Sequence, residues 1–74
     1  MNTKEKIINI LKNKNIVDTY SDLHEVGEVK LTNEKPYRKG TDLMTRWYSV
    51  AGHTVQIRYH ERTGVVTSFK VQEG

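Results

Sequence analysis

The chain has 74 residues, 35% hydrophobic and 28% charged, with no cysteine and a formal net charge of +3. That length suits one small domain, residues 1–74, with a single modest core, and the composition is globular rather than disordered. The missing cysteines exclude disulfides and thiolate zinc sites, and no apolar run approaches the roughly 18–20 residues of a membrane-spanning helix. The expected setting is soluble and cytoplasmic, with no membrane partner.

Charge is distributed in blocks. Lys4, Lys6, Lys12 and Lys14 outweigh Glu5 at the amino end. Asp18, Asp22, Glu25, Glu28 and Glu34 then outweigh Lys30, and the remainder is basic again through Lys35, Arg38, Lys39, Arg46, Arg58, Arg62 and Lys70. A basic–acidic–basic order either polarises the folded surface toward an anionic partner or folds so that the blocks neutralise one another.

Asn2 or Thr3 can cap a helix, and Asn2 with Glu5 has capping-box spacing. Ile7, Ile8, Ile10 and Leu11 follow at helical intervals, so a basic amphipathic helix is expected over about 3–14, ending where Asn13 and Asn15 lower the propensity. A helix this short needs a surface to pack on. Ile16, Val17, Tyr20 and Leu23 either prolong the helix after a break or anchor a loop, and both readings stay open. Gly27 precedes the alternating Glu28–Leu31, which predicts a first strand over about 27–32. Asn33 to Gly40, containing Pro36, reads as a long turn or loop, and Thr41 to Met44 as either a strand start or one helical turn.

The carboxy-terminal part alternates most clearly. Strands are expected over about 46–51, 53–60 and 65–72, joined by a tight reversal at Ala51–Gly52 and a turn at Glu61–Gly64. His53, Val55, Ile57 and Tyr59 should share a dry face with Val65, Thr67, Phe69 and Val71. Thr54, Gln56, Arg58 and His60 should share a wet face with Val66, Ser68, Lys70 and Gln72. The fold class is thus α+β: an N-terminal amphipathic helix packed on one face of a 3–4-stranded antiparallel β-meander. The lone Trp47 is assigned to the core, as the only tryptophan of so small a chain.

The wet face suggests function. Gln56, Arg58, His60 and Lys70, with Ser68 between them and Arg46 and Tyr48 at the edge, combine cations, hydrogen-bonding groups and a ring, as single-stranded nucleic acid requires. A non-enzymatic accessory or regulatory protein that binds a macromolecule is the primary expectation, with nucleic acid or an acidic protein surface as partner. A protein-docking alternative places Tyr37, Arg38 and Tyr48 at a contact in the 36–48 region, or pairs two copies through a free sheet edge. A third alternative is metal-independent RNA cleavage, with His60 or Glu61 moving the proton and Arg58 and Ser68 contacting the phosphate. No cofactor is implied, and His24, His53 and His60 lack metal-ligand spacing.

Overall fold

The computed structural model describes residues 2–13 and 15–73. Two short helices, α1 (Thr3–Leu11) and α2 (Ile16–Leu23), precede four strands: β1 (Val29–Pro36), β2 (Leu43–Val50), β3 (His53–His60) and β4 (Val66–Glu73). The strands form one antiparallel sheet in the order β1-β2-β3-β4, and the helices pack against one of its faces.

The Asn2 side chain accepts the Glu5 N–H at 2.8 Å and starts α1, whose Ile7 and Leu11, four residues apart, are both fully buried. The helix stops at Leu11 rather than at 13 or 14, with Lys12 as its C-cap, and Lys14 lies outside the described residues. Asn15 does more than lower helical propensity. Its side-chain oxygen accepts the N–H groups of Val17 (2.9 Å) and Asp18 (3.3 Å) and opens a second helix. Ile16, Thr19 and Leu23 form the buried stripe of α2, which settles the reading left open for this stretch. Its first turn is tied to the sheet because Ile16 N–H donates to the Gly64 carbonyl at 2.7 Å.

The strands differ from expectation at three places. First, β1 begins at Val29 and continues through Pro36, where a loop was expected from Asn33. Asn33, Glu34 and Lys35 have little strand propensity, but pairing with Trp47, Arg46 and Thr45 holds them extended. Pro36 is tolerated as the last residue of an edge strand. Second, β2 spans 43–50 rather than 46–51, so Leu43 and Met44 start the strand. Third, β4 starts at Val66 and carries a bulge against Arg58 and Tyr59. The bulge inverts the expected phase of its first residues. Val66, assigned to the wet face, pairs with Tyr59 and is buried, whereas Val65 is 44% exposed. Thr67, assigned to the dry face, is the extra residue, and its hydroxyl donates to the Arg58 carbonyl at 3.2 Å.

Beyond that bulge the expected alternation holds. Val55 and Ile57, with Tyr59 and Tyr48, meet Ile7, Leu11 and Leu23 in one core. Burying each large aliphatic side chain contributes about 1.5–3 kcal/mol. The β2–β3 turn is two residues long, with positive φ at both Ala51 (49°) and Gly52 (81°), the pattern of a type I′ hairpin. The β3–β4 turn uses Gly64 at φ 77°, and a Cβ there would lie 3.3 Å from Ile16 Cγ2. Gly64 is therefore held to glycine by backbone conformation and by the docking of α2. Gly64→Ala is expected to cost about 1–3 kcal/mol and to lower Tm by several degrees, as measured by calorimetry. An unchanged Tm would show that α2 does not need this approach.

Candidate functional site

Register decides what the helix-free face of the sheet carries. Because Val50 pairs with His53, the residues of β2 opposite Val55 and Ile57 are Tyr48 and Arg46, and these point toward the helices. The other parity, Leu43, Thr45, Trp47 and Ser49, joins Thr54, Gln56, Arg58 and His60 on the open face. From β4, Ser68 and Lys70 fall opposite Arg58 and Gln56. From β1, Lys30, Asn33 and Lys35 fall opposite Ser49, Trp47 and Thr45. None of the described strand residues that the register puts on this face is acidic.

At its centre the Arg58 guanidinium lies 3.6 Å from the Tyr37 ring centroid, crossing β2 above Thr45. Thr45 is consequently buried, although no helix covers this side. Arg38 approaches the same ring at 5.7 Å. Arg58 forms no ion pair and no side-chain hydrogen bond with any described residue, and its Nε is buried without a partner. The stack fixes the guanidinium in place and leaves its hydrogen-bond donors unused.

His60 lies two residues further along β3. Its Nδ1 is 2.8 Å from Asp42 Oδ1, in the loop that joins β1 and β2, and the Asp42 carbonyl accepts the Glu61 N–H at 2.9 Å. The hydrogen bond to His60 holds the Asp42 carboxyl below its usual pKa, against the weaker opposing effect of burial. The pair fixes the imidazole by one nitrogen and leaves Nε2 available.

Not every expected site residue is here. Gln56, Arg58, His60, Ser68 and Lys70 share the open face, but Arg46 does not. Arg46 lies on the helix side, ion-paired with Glu34, donating to the Tyr48 hydroxyl at 3.0 Å and set over the Tyr59 ring at 4.9 Å. Partial burial works against its charge, yet Glu34 and Tyr48 outweigh it and hold the pKa above the ordinary value. Tyr48 is 1% exposed, which removes it both as an edge ring and as a docking residue. Burial raises the Tyr48 and Tyr59 phenols above their ordinary pKa. Glu61 sits in the β3–β4 turn and lines a cleft with Tyr20, Arg46 and Tyr59, on the side away from Arg58 and Ser68. Tyr37 is 42% exposed, with one ring face occupied by Arg58.

Trp47 corrects the sequence reading most. It is not a core residue. It pairs with Asn33 and Gln56 on the open face, half-buried, and its ring and indole N–H have no partner among the described residues. A sequence signal for this existed: a two-residue reversal at 51–52 makes Val50 and His53 partners, so an inward Val55 forces Tyr48 inward and Trp47 outward. Asn33 and Lys35 join the site because β1 continues past the limit expected near residue 32, and Asp42 because the loop after β1 turns back to His60.

Among the described residues no group of three or more His, Asp or Glu side chains could hold a metal ion, and the register places His53 and His60 on opposite faces. Among the described residues no helix is long and apolar enough to cross a membrane. In comparisons with protein-family models, curated proteins and solved structures, none matches the chain. The chemistry of the site is therefore read from its own geometry.

The Asp42–His60 bond gives a signed expectation. A carboxyl with a depressed pKa stabilises the fold above its unfolded value of about 4, and that contribution is lost as pH falls through the folded value. Asp42→Asn is expected to be less stable than the parent at neutral pH, and the difference should close below pH of about 4, as followed by thermal melts across pH. A difference independent of pH would show that the Asp42 charge plays no part.

Proposed function

We propose that the chain is an accessory or regulatory protein that binds single-stranded nucleic acid on the open face of its sheet. The observation that carries this reading is Arg58, a guanidinium oriented by Tyr37 with its donors unspent. A charge fixed in place without an ion pair among the described residues, on a face with no strand carboxylate, suits a phosphate oxygen as the acceptor for its terminal Nη groups. Lys35 and Lys70 extend the positive field along the same face, Lys30 being paired with Glu28, and Trp47 offers a ring for a base. A basic surface alone would fit an acidic protein as well. The combination of unpaired guanidinium and unpartnered indole favours the nucleotide, which presents a phosphate and a π face together.

Trp47 is the only tryptophan, so binding has an intrinsic probe. Titrating single-stranded oligonucleotides should quench its fluorescence, with log K falling against log salt by about 0.7 for each phosphate neutralised. Arg58→Ala and Lys70→Ala should weaken binding similarly for all sequences, Arg58→Ala by about tenfold, and each should lower the salt slope by about 0.7. No quenching at low salt, or an affinity indifferent to salt, would sink the proposal.

The His60–Asp42 pair favours a second reading of the same face, cleavage of the bound RNA. Asp42 orients the imidazole, so Nε2 would take the proton of a 2′-hydroxyl while that oxygen attacks the adjacent phosphorus. The bond from phosphorus to the 5′-oxygen breaks, Arg58 neutralises the phosphoryl charge, and the 5′-oxygen regains a proton from the imidazolium. The products are a 2′,3′-cyclic phosphate and a 5′-hydroxyl. Incubation with labelled RNA should yield those ends in the parent and lose them in His60→Ala with binding retained. Intact RNA in the parent would reject cleavage and leave the binding proposal standing.

A further inference from the structure

The two margins of the sheet are built differently. β1 and β4 are the outer strands, so each has one side without a hydrogen-bonded neighbour. Such a row of N–H and C=O groups accepts another strand unless it is obstructed. β1 is obstructed along its length: it carries Lys30, Glu34 and Lys35, is interrupted at Thr32 and ends in Pro36. β4 is interrupted only near its start, where Thr67 is the extra residue, and it pairs regularly with β3 from Ser68 to Gln72. Within that run Lys70 is the sole charged residue.

The side chains of this run suit a second copy of the same strand. Phe69 and Val71 lie opposite Ile57 and Val55 and so point to the helix side, yet Phe69 is 37% exposed at the sheet margin. A groove of about 330 Å³ beside it is lined by Leu11, Val66 and Phe69, between α1 and β4. Antiparallel pairing about a twofold axis at Lys70 overlaps the whole regular run. Phe69 then falls opposite Val71 of the second copy, and Ser68 opposite its Gln72, so apolar meets apolar on the helix side and polar meets polar on the open face. An axis at Phe69 or Val71 shortens the regular overlap to Ser68–Lys70 or Lys70–Gln72. The one conflict is Lys70, which faces its own copy, and like charges directly opposite repel. Lys70 lies on the open face, where a phosphate seated between the two ammonium groups would remove that repulsion. We infer that the β4 edge joins two copies antiparallel about Lys70, and that the Lys70 pair holds the edges apart until a nucleic-acid phosphate neutralises it. The edge contact stands on the strand alone, while its control by phosphate rests on the proposal that the open face binds single-stranded nucleic acid. Joined in this way, the two open faces lie on the same side of one continuous sheet.

Sedimentation equilibrium of the full chain without nucleic acid reads the edge by itself. Lys70→Gln, which removes the repulsion, should dimerise about fivefold more tightly than the parent, and added salt should tighten the parent dimer toward it. Adding Phe69→Lys to Lys70→Gln should weaken the dimer about a hundredfold, whereas Leu31→Lys on the opposite margin should leave it unchanged. Circular dichroism melts check that each variant is folded. Oligothymidylate, a DNA that the cleavage reading leaves intact, then reads the coupling through Trp47 fluorescence. A second parent chain should load beside the first about tenfold more tightly, and Phe69→Lys alone should bind without that gain. If Lys70→Gln stays monomeric up to about 1 mM, or its dimer survives Phe69→Lys, the β4 contact is overturned. If the Lys70→Gln dimer forms but the parent loads oligothymidylate without cooperativity, the control by phosphate is overturned. Failure of oligothymidylate to quench Trp47 would overturn the nucleic-acid interface and the phosphate control together, while sedimentation still decides the edge contact.

Discussion

The hairpin between β2 and β3 closes through only two residues, Ala51 and Gly52, both at positive φ. So short a turn allows one register, Val50 opposite His53, and that pairing sets the parity of the whole sheet. With Val55 and Ile57 turned toward the helices, Tyr48 follows them inward and Trp47 is carried to the opposite face. Slipping the register by one residue would exchange these two aromatics and turn Val50 away from the core. The hydrophobic contacts of Tyr48, Val50, Val55 and Ile57 therefore select the same register as the turn, so local geometry and packing favour one arrangement of the sheet.

The division of faces shows most clearly in two arginines. Arg46 and Arg58 both come from the central strands, yet they meet different environments. Arg46 lies on the helix side, where burial demands a partner, and Glu34, brought alongside by the β1 register, supplies it. Arg58 lies on the side the helices leave bare, where the Tyr37 ring supports its plane without using its donors. One is closed as a structural element and the other keeps its charge without an ion pair among the described residues. The acidic block of the sequence follows the same division in part: Asp18 and Asp22 belong to α2 and Glu34 faces the helices, while Glu28 lies 3.9 Å from Lys30, so of the open-face strand lysines Lys35 and Lys70 have no ion pair with any described residue. The block order of charge along the chain becomes a difference between the two sides of the sheet.

Much of this was legible in the chain. The limits of β3 were read correctly because eight residues alternate strictly between two turns, and the α+β class followed from one amphipathic start and a meander. What was illegible depended on partners. Asn15 looks like a helix breaker until its side chain is seen to begin the next helix. The polar run Asn33–Pro36 has no strand signal of its own, and its extended form comes from pairing with β2. Of the site, the β3 and β4 contributors were legible from alternation alone. The β2 contributors were assigned to the wrong sides, because the rarity of tryptophan outweighed the parity that the 51–52 turn imposes.

Both outer strands carry an additional threonine. Thr32 donates its hydroxyl to the Trp47 carbonyl at 3.0 Å, and Thr67 donates to the Arg58 carbonyl at 3.2 Å, each where the ladder skips a residue. Either side of these points the alternation restarts, so Leu31 and Glu34 share a face though three apart, as do Val66 and Phe69. Each outer strand is thus two phrases spliced at a threonine, each alternating between the helix side and the open face. The splice shifts by one residue which positions beyond it face inward, so that Lys35 and Lys70 fall on the open face. The two threonines also clamp the sheet from both margins at the backbone of Trp47 and Arg58, whose side chains face outward, so each outer strand is tied to its neighbour by a side chain at the point where its ladder is interrupted.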